Sequence, residues 1–439
     1  MPLHSGAFSC SRRGGPSGPW RRTEPSSCSA ETPVRILKIV DGEYPWDVRV
    51  EKVALSLNRN GHPVHMVARN RDRRPLREEL PEAVMHRMTP WRWLGSTLDA
   101  ASQFPAFMNP RWIRLAQRVG RRERAQVVLV RDLPLAPTAI WVGRRLGLPV
   151  ILDMAENYPA MMRDLWLTDS TRFGDALIRN PRAVEAVERW TMARIDHTLV
   201  VVEESGERLQ AELGVPPERI TVVGNTPSLG RLGDFAERPA PLVAKPSHPL
   251  KAVYLGLMEE ARGVRSVIEA VARLRDREVP VDLTLIGDGR ARTDFEALGA
   301  ELGLPEARFR SLGFIPYREA LRIVGESEVG LIPHLANESW NTTIPNKLFD
   351  YMAAGLAVVS SDARPAARVV RETGAGLVFR SGDAEDLARV LEEVWREGSA
   401  WTMGQAGRAG IRDRYHWERD EARLLETVER VGGGMTAGN

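Results

Sequence analysis

Short runs of β-branched and aliphatic residues recur along the chain, with amphipathic stretches between them. RILKIV (35–40) leads to DVRVEKVALSLNRNG, where apolar positions return every three or four residues as far as Gly61, and then to PVHMVA (63–68). The two runs predict strands buried on both faces, and the stretch between them a helix with one apolar side. The alternation continues through QVVLVR (126–131), a helix near 136–146, PVILDM (149–154), HTLVVV (197–202) and RITVVG (219–224). A Pro-rich passage around 239–249 interrupts it and reads as a linker. KAVYLG (251–256), VDLTLIG (281–287), RFRSLG (308–313), VGLIPH (329–334), AVVSS (357–361) and AGLVF (375–379) follow. Such alternation implies parallel sheets covered by helices. The expected fold is therefore α/β, two Rossmann-like domains facing a cleft, with boundaries at 34–235, 236–249 and 250–415. WERDEARLLETVERV (417–431) predicts a last amphipathic helix, anchored by Trp417 and stopped by Gly432 to Gly434.

The length of 439 residues suits two domains of about 200 residues each. A hydrophobic content of 43% and a charged content of 27% are those of a globular chain. No apolar run approaches the roughly 20 residues of a membrane span. Both cysteines, Cys10 and Cys28, fall within residues 1–33, outside any folded core, which fits a reduced cytoplasm. That opening segment is rich in Ser, Gly and Pro, carries four Arg and has no continuous apolar stretch. It reads as a disordered tail or an over-called translation start rather than a signal peptide.

The most specific local signal is NTTIPNKLFDYMAAG (341–355) running into LAVVSS (356–361). Pro345 fits a first helical turn, and Thr342 or Thr343 can cap it. The N–H groups at that helix start favour an anion such as a diphosphate. Asp350, expected about two turns further in, sits in an apolar segment and needs a partner, which ribose hydroxyls would supply. A lysine in the first turn, Lys347 beside Asn346, opposes the helix dipole. Either an anionic ligand or plain solvent exposure explains it.

This run resembles the donor motif of family 4 retaining glycosyltransferases with the GT-B fold, and the likeness of order and spacing extends from about 34 to 431. It implies that Asp350 binds ribose and that Thr342 stands where the family has a carboxylate facing the transferred sugar, a plain cap being the alternative. In GLMEEARGV (256–264) the resemblance carries Gly256 and Arg262 onto the diphosphate, while Leu257 departs from the usual Arg. Gly287 and Gly289 close a strand in the family's manner, and Phe314 resembles the segment lining the base pocket, with core packing as the plainer reading. In the first domain, Gly42 permits close approach to the phosphates. Asp47 and Arg49 resemble a D-x-R pattern, against an N-cap and a solvated Arg. DMAENYPAM (153–161) matches a D-x-H-E-x-Y-P pattern with Ala155 in place of the His, leaving Asp153 and Glu156 on the acceptor side. The last helix resembles one that crosses back to the first domain.

The resemblance implies transfer of a sugar from a nucleotide diphosphate sugar to a glycan or lipid-linked acceptor with retention, in surface polysaccharide or cell-envelope synthesis. Glu156, Arg262 and Asp350 are the candidate catalytic residues. Protein cations would stabilise the departing diphosphate, and no D-x-D motif or His cluster suggests a metal; no cofactor is expected beyond the donor substrate. A nucleotide-sugar epimerase on the same fold and an inert nucleotide- or glycan-binding scaffold are the alternatives, the latter favoured by Leu257, Thr342 and Ala155.

The charge is unevenly placed. Residues 87–124 carry eight Arg against Asp99 and Glu123. In NPRWIRLAQRVGRRER (109–124), Arg111, Arg114, Arg118 and Arg122 recur at helical spacing, with Trp112 on another face and Trp91, Trp93, Phe104 and Phe107 upstream. One reading is a patch docking on anionic lipid at the inner face of the cell membrane. The other is a domain helix with its apolar stripe on the sheet and its arginines in water. Nucleic acid is not an expected partner, since no helix-turn-helix, zinc or RNA-binding signature accompanies the charge.

Overall fold

A computed structural model describes residues 33–45, 47–90, 106–168, 180–236 and 248–434. The apolar runs form two sheets. The first has the order β3-β4-β2-β1-β5-β6-β7-β8 and the second β11-β10-β9-β12-β13-β14. In the first sheet β1 (Ile36–Ile39), β2 (Val64–Ala68), β5 (Val127–Arg131), β6 (Val150–Met154), β7 (His197–Val200) and β8 (Ile220–Val222) lie on the expected runs. So do β9 (Leu250–Leu255), β10 (Val281–Ile286), β11 (Phe309–Ser311), β12 (Val329–Ile332), β13 (Ala357–Ser361) and β14 (Gly376–Phe379) in the second. β3 (Arg77–Glu79) and β4 (Val84–Arg87) extend one edge of the first sheet, and β3 pairs antiparallel to β4. Among the described residues, every other ladder is parallel.

Both faces of each sheet are covered, which is why the strands read as continuous rather than alternating apolar runs. Ile36 and Leu129 face a core shared with Val50 and Leu57 of α1 (Val48–Arg59). Their neighbours Leu37 and Val128 point the other way, into a core with Trp112 and Ala116 of α2 (Pro110–Arg122) and Ala139 of α3 (Ala136–Leu146). In the second sheet Leu283 and Leu331 pack with Val267 of α7 (Val264–Asp276), Phe295 of α8 (Arg292–Glu301) and Leu391 of α12 (Ala384–Glu397). On the opposite face Val253 and Val358 meet Val324 of α9 (Tyr317–Glu326), Met352 of α10 (Lys347–Ala354), Val370 of α11 (Arg364–Thr373) and Ile411 of α13 (Ala400–Asp413). The remaining helices α4 (Tyr158–Thr168), α5 (Pro181–Met192) and α6 (Glu203–Leu213) belong to the first half.

The last helix, α14 (Trp417–Gly433), lies on the first half. Trp417 Nε1 donates to Ser56 Oγ at 2.8 Å, and Leu424 and Val428 join the core under α1. Gly432 does not stop this helix. A Cβ there would stand 2.6 Å from Val34 Cγ1 and 3.3 Å from Val127 Cβ, so the glycine lets the helix press onto the start of β5 and the chain just before β1. No described helix is long and apolar enough to cross a membrane.

The apolar stripe of α2 lies on the sheet. Trp112 is completely buried, so it cannot belong to a membrane patch. Arg114, Arg118 and Arg122 face water, and Arg111 is half-buried with Nη2 donating to the Thr89 carbonyl at 2.7 Å. Trp91, Trp93 and Phe104 lie outside the described residues.

Candidate active site

The C-terminal ends of the central strands of both sheets face one another, and the loops leaving them carry the charged groups. On the second half, β9 ends at Leu255 and the chain turns through Gly256 to Arg262 in a 3-10 turn. The Arg262 guanidinium lies over the Trp340 ring at 4.5 Å, and its Nη1 donates to His334 Nε2 at 3.2 Å. That bond fixes His334 as neutral with its proton on Nδ1, an atom that is buried and has no hydrogen-bond partner. Lys347 opens α10 with Nζ 3.9 Å from the Tyr254 ring centroid. Burial, and secondarily the Arg262 charge, pushes the Lys347 ammonium well below the usual lysine range. Among the described residues, neither cation has a carboxylate within ion-pair distance. Burial leaves Lys347 with no solvent to account for it, so the plain-exposure reading of this residue does not hold.

The first half contributes carboxylates. Glu156 follows β6, and burial, reinforced by Asp132 and opposed by Arg131 and Arg262, lifts its carboxyl to about 7. Asp132, just past β5, accepts the Ala155 N–H at 3.0 Å. Burial raises it to about 6 against the pull of Arg131. Its φ of 59° is unusual for a residue with a side chain. Asp132, Arg131 and His334 were not legible as site residues. Arg131 and His334 close apolar runs, and only the parallel register of Arg131 with Asp153 brings the first of them beside the acceptor loop.

The two halves meet around Thr342 and Thr343. Both are buried and neither caps α10, whose flanking residue Asn346 has helical φ and ψ and no side-chain cap. Thr342 Oγ1 donates to the Glu338 carbonyl at 2.9 Å and accepts from Asn157 Nδ2 at 3.2 Å. Thr343 Oγ1 donates to the Ala155 carbonyl at 3.4 Å, and Asn346 Oδ1 accepts from Asn225 Nδ2 at 2.9 Å. The threonines thus hold the halves together.

Asp350 falls in the first turn of α10, not the second, because the helix starts at Lys347. Its partner is Arg231, whose Nη2 lies 2.9 Å from Oδ1 and also donates to the Tyr317 hydroxyl. Burial raises the Asp350 carboxyl in spite of Arg231. Phe314 is 86% exposed on the loop after β11, which overturns the core-packing reading. A Cβ added at Gly42 would meet nothing within 4 Å, so its surroundings are open.

Two candidates are structural instead. Arg49 donates through Nε (2.9 Å) and Nη2 (2.6 Å) to Asp153 Oδ1, and through Nη1 to the Gly224 carbonyl at 3.1 Å. All three nitrogens are engaged, so Arg49 is not available to a donor phosphate, nor is it the solvated side chain of the alternative reading. Asp153 is fully buried and cannot touch an acceptor. Burial would raise it, but Arg49, Arg131 and Lys38 overcome this and hold it at about 2. Asp47 is the N-cap of α1, accepting from Arg49 N and Val50 N. Asp153→Ala strands Arg49 and Lys38 without a counter-charge, and we expect a loss of about 3–5 kcal/mol in urea denaturation. Gly287 and Gly289 likewise serve backbone packing. A Cβ at Gly287 would stand 1.9 Å from the Gly256 carbonyl oxygen, and one at Gly289 2.3 Å from that of Met258.

Two Rossmann-like halves facing a cleft make this a GT-B fold. The family model described as "Glycosyl transferase 4-like domain" matches residues 47–226, and that described as "Glycosyl transferases group 1" matches residues 249–397. The chain belongs to this glycosyltransferase family. It is 29% identical over 181 residues to 2-deoxystreptamine glucosyltransferase of Streptomyces kanamyceticus, covering 40% of this chain and 45% of that one. It is 28% identical over 204 residues to phosphatidyl-myo-inositol mannosyltransferase of Mycolicibacterium smegmatis, covering 46% and 50%. The chain thus spans about half the length of these curated relatives. Anabaena HepE in complex with UDP has the same fold, with a TM-score of 0.65 at 13% identity over 90% of this chain and 100% of that one.

Proposed function

We propose that this protein transfers a glycosyl group from a nucleoside diphosphate sugar to a glycan or lipid-linked acceptor, with retention at the anomeric carbon, in surface polysaccharide or cell-envelope synthesis. The observation that carries the reading is the pair of uncompensated cations, Arg262 and Lys347, facing Glu156 across the cleft. As the bond from the anomeric carbon to the diphosphate breaks, its electron pair moves to the departing phosphate oxygen. A preorganised guanidinium and ammonium stabilise that charge as it develops. Asp350 receives the ribose hydroxyls beside Arg231, and Phe314 stacks on the base. Glu156, when ionised, accepts the proton of the incoming hydroxyl.

In this reading the acceptor occupies the first half, where Glu156 lies. The M. smegmatis relative acts, by its name, on a phosphatidyl-inositol lipid. The exposed arginines of α2 suit the same class of acceptor, attracting an anionic membrane surface on the cytoplasmic side without any help from Trp112.

Release of nucleoside diphosphate tests this reading. The protein is incubated with common UDP-, GDP- and ADP-sugars, with and without lipid-linked or glycan acceptors, and the product anomer is read by NMR. Acceptor-dependent release with retention supports a transferase. Conversion of the sugar nucleotide without acceptor identifies an epimerase, and no turnover with any pair leaves a scaffold. Phe314→Ala should weaken binding of the matching nucleoside diphosphate about tenfold by calorimetry, the value of a lost base stack.

A further inference from the structure

β2 and β4 are neighbours in the outer part of the first sheet, with His65 paired to Val84 and Val67 to His86. His65 and His86 therefore project from one sheet face, two residues out of register. α2 packs against β2 and ends at its C-cap Glu123. The three side chains converge there. His65 Nδ1 lies 3.3 Å from His86 Nε2, and His65 Nε2 lies 3.8 Å from Glu123 Oε2. One ligand atom from each residue fits within a span of 4.8 Å.

We propose that His65, His86 and Glu123 bind a divalent transition-metal ion that ties β2, β4 and α2 together. Two imidazole nitrogens at the usual zinc distance from a tetrahedral ion stand about 3.3 Å apart, the spacing found between the two rings. Two imidazoles and a carboxylate suit zinc, nickel or cobalt rather than magnesium or calcium. Glu123 also sits at the negative end of the α2 dipole, which favours a cation. Two cations oppose it. Arg77 pairs in register with His86 but donates to Glu79 at 2.8 Å. Arg122 Nε approaches Glu123 Oε1 at 3.4 Å, leaving Oε2 toward the histidines. His65 and Glu123 are 13% and 18% exposed, so water can complete the coordination. His65 is the second residue of β2, near the strand start and away from the cleft at the strand ends. The ion is a structural clamp with no part in glycosyl transfer. The sequence hides it because the ligands are 21 and 37 residues apart and share no spacing motif.

The test uses the untagged full-length chain stripped with chelator and titrated with zinc chloride by calorimetry, beside Glu123→Gln and His86→Ala. Wild type should bind one equivalent that Glu123→Gln holds at least about tenfold more weakly and that His86→Ala loses, while zinc raises the melting temperature of wild type more than that of Glu123→Gln and leaves that of His86→Ala unchanged. Any zinc held by Cys10 and Cys28 is common to all three. Because Glu123→Gln keeps the side-chain shape, it remains informative if His86→Ala does not fold. Equal stoichiometry and affinity in wild type and Glu123→Gln would overturn the site and leave only a hydrogen-bonded histidine pair.

Discussion

Arg262→Ala should lower kcat by about 10²- to 10³-fold with the cognate donor and acceptor, the cost of removing a preorganised group that meets charge in the transition state. The reason is the environment of this arginine. Burial pulls it below the usual arginine range, opposed by Tyr254, Glu156 and Glu259, and it has no ion-pair partner among the described residues. Its guanidinium is oriented by the Trp340 face and by His334 rather than neutralised. A desolvated, uncompensated charge costs folding free energy, so Arg262→Ala should fold at least as stably as wild type while losing activity. Arg262→Lys should recover little, because the stacked planar group and its bond to His334 are lost. Steady-state kinetics beside thermal melts check both halves of the expectation. A variant that loses stability in step with activity would make Arg262 a packing residue.

Glu156→Gln should abolish the rise of activity with pH through about 7 and reduce the plateau rate by about 10²-fold or more. The sign follows from the raised carboxyl. Below about 7 the group is protonated and cannot accept a proton, so wild-type activity climbs as it ionises. Stability runs the other way. A raised carboxyl contributes stability that is fully present below the ordinary glutamate value of 4.5 and is lost as pH rises through about 7. Glutamine never bears the charge, so at pH 8 the variant should be more stable than wild type by up to about 3 kcal/mol. A pH–rate profile with denaturation at pH 5 and pH 8 separates these effects. A profile unchanged by the substitution would remove Glu156 from the chemistry.

The fold was legible because parallel strands buried on both faces leave unbroken apolar runs, and nearly every such run is a strand. β3 and β4 were not. Arg77–Glu79 is wholly polar on a sheet edge, and only two of the four residues of Val84–Arg87 are apolar. Within the site, Arg262 was legible through the family resemblance of GLMEEARGV, and Lys347 because a lysine in a first helical turn opposes the helix dipole. Thr342 and Thr343 read as caps because Pro345 suggested an earlier helix start. The chain instead stays irregular to Asn346 and spends both hydroxyls on bonds to the other half. Arg49 and Asp153 are 104 positions apart, and nothing local distinguishes a buried ion pair from two cleft residues. Arg231 as the partner of Asp350 was equally invisible, being 119 positions away.

The central claim is that Arg262 and Lys347 hold a nucleoside diphosphate between the two halves. Its most direct test is calorimetric titration of wild type and the Arg262→Ala/Lys347→Ala double variant with UDP, GDP and ADP, and with the corresponding nucleosides. The account predicts saturable one-to-one binding of one diphosphate to wild type, weakened at least about 100-fold in the double variant, as expected for two lost charge-assisted contacts. The nucleoside should bind weakly and equally to both proteins. Binding of the diphosphate with the same affinity to wild type and the double variant, or no binding of any of the three to wild type, would contradict it.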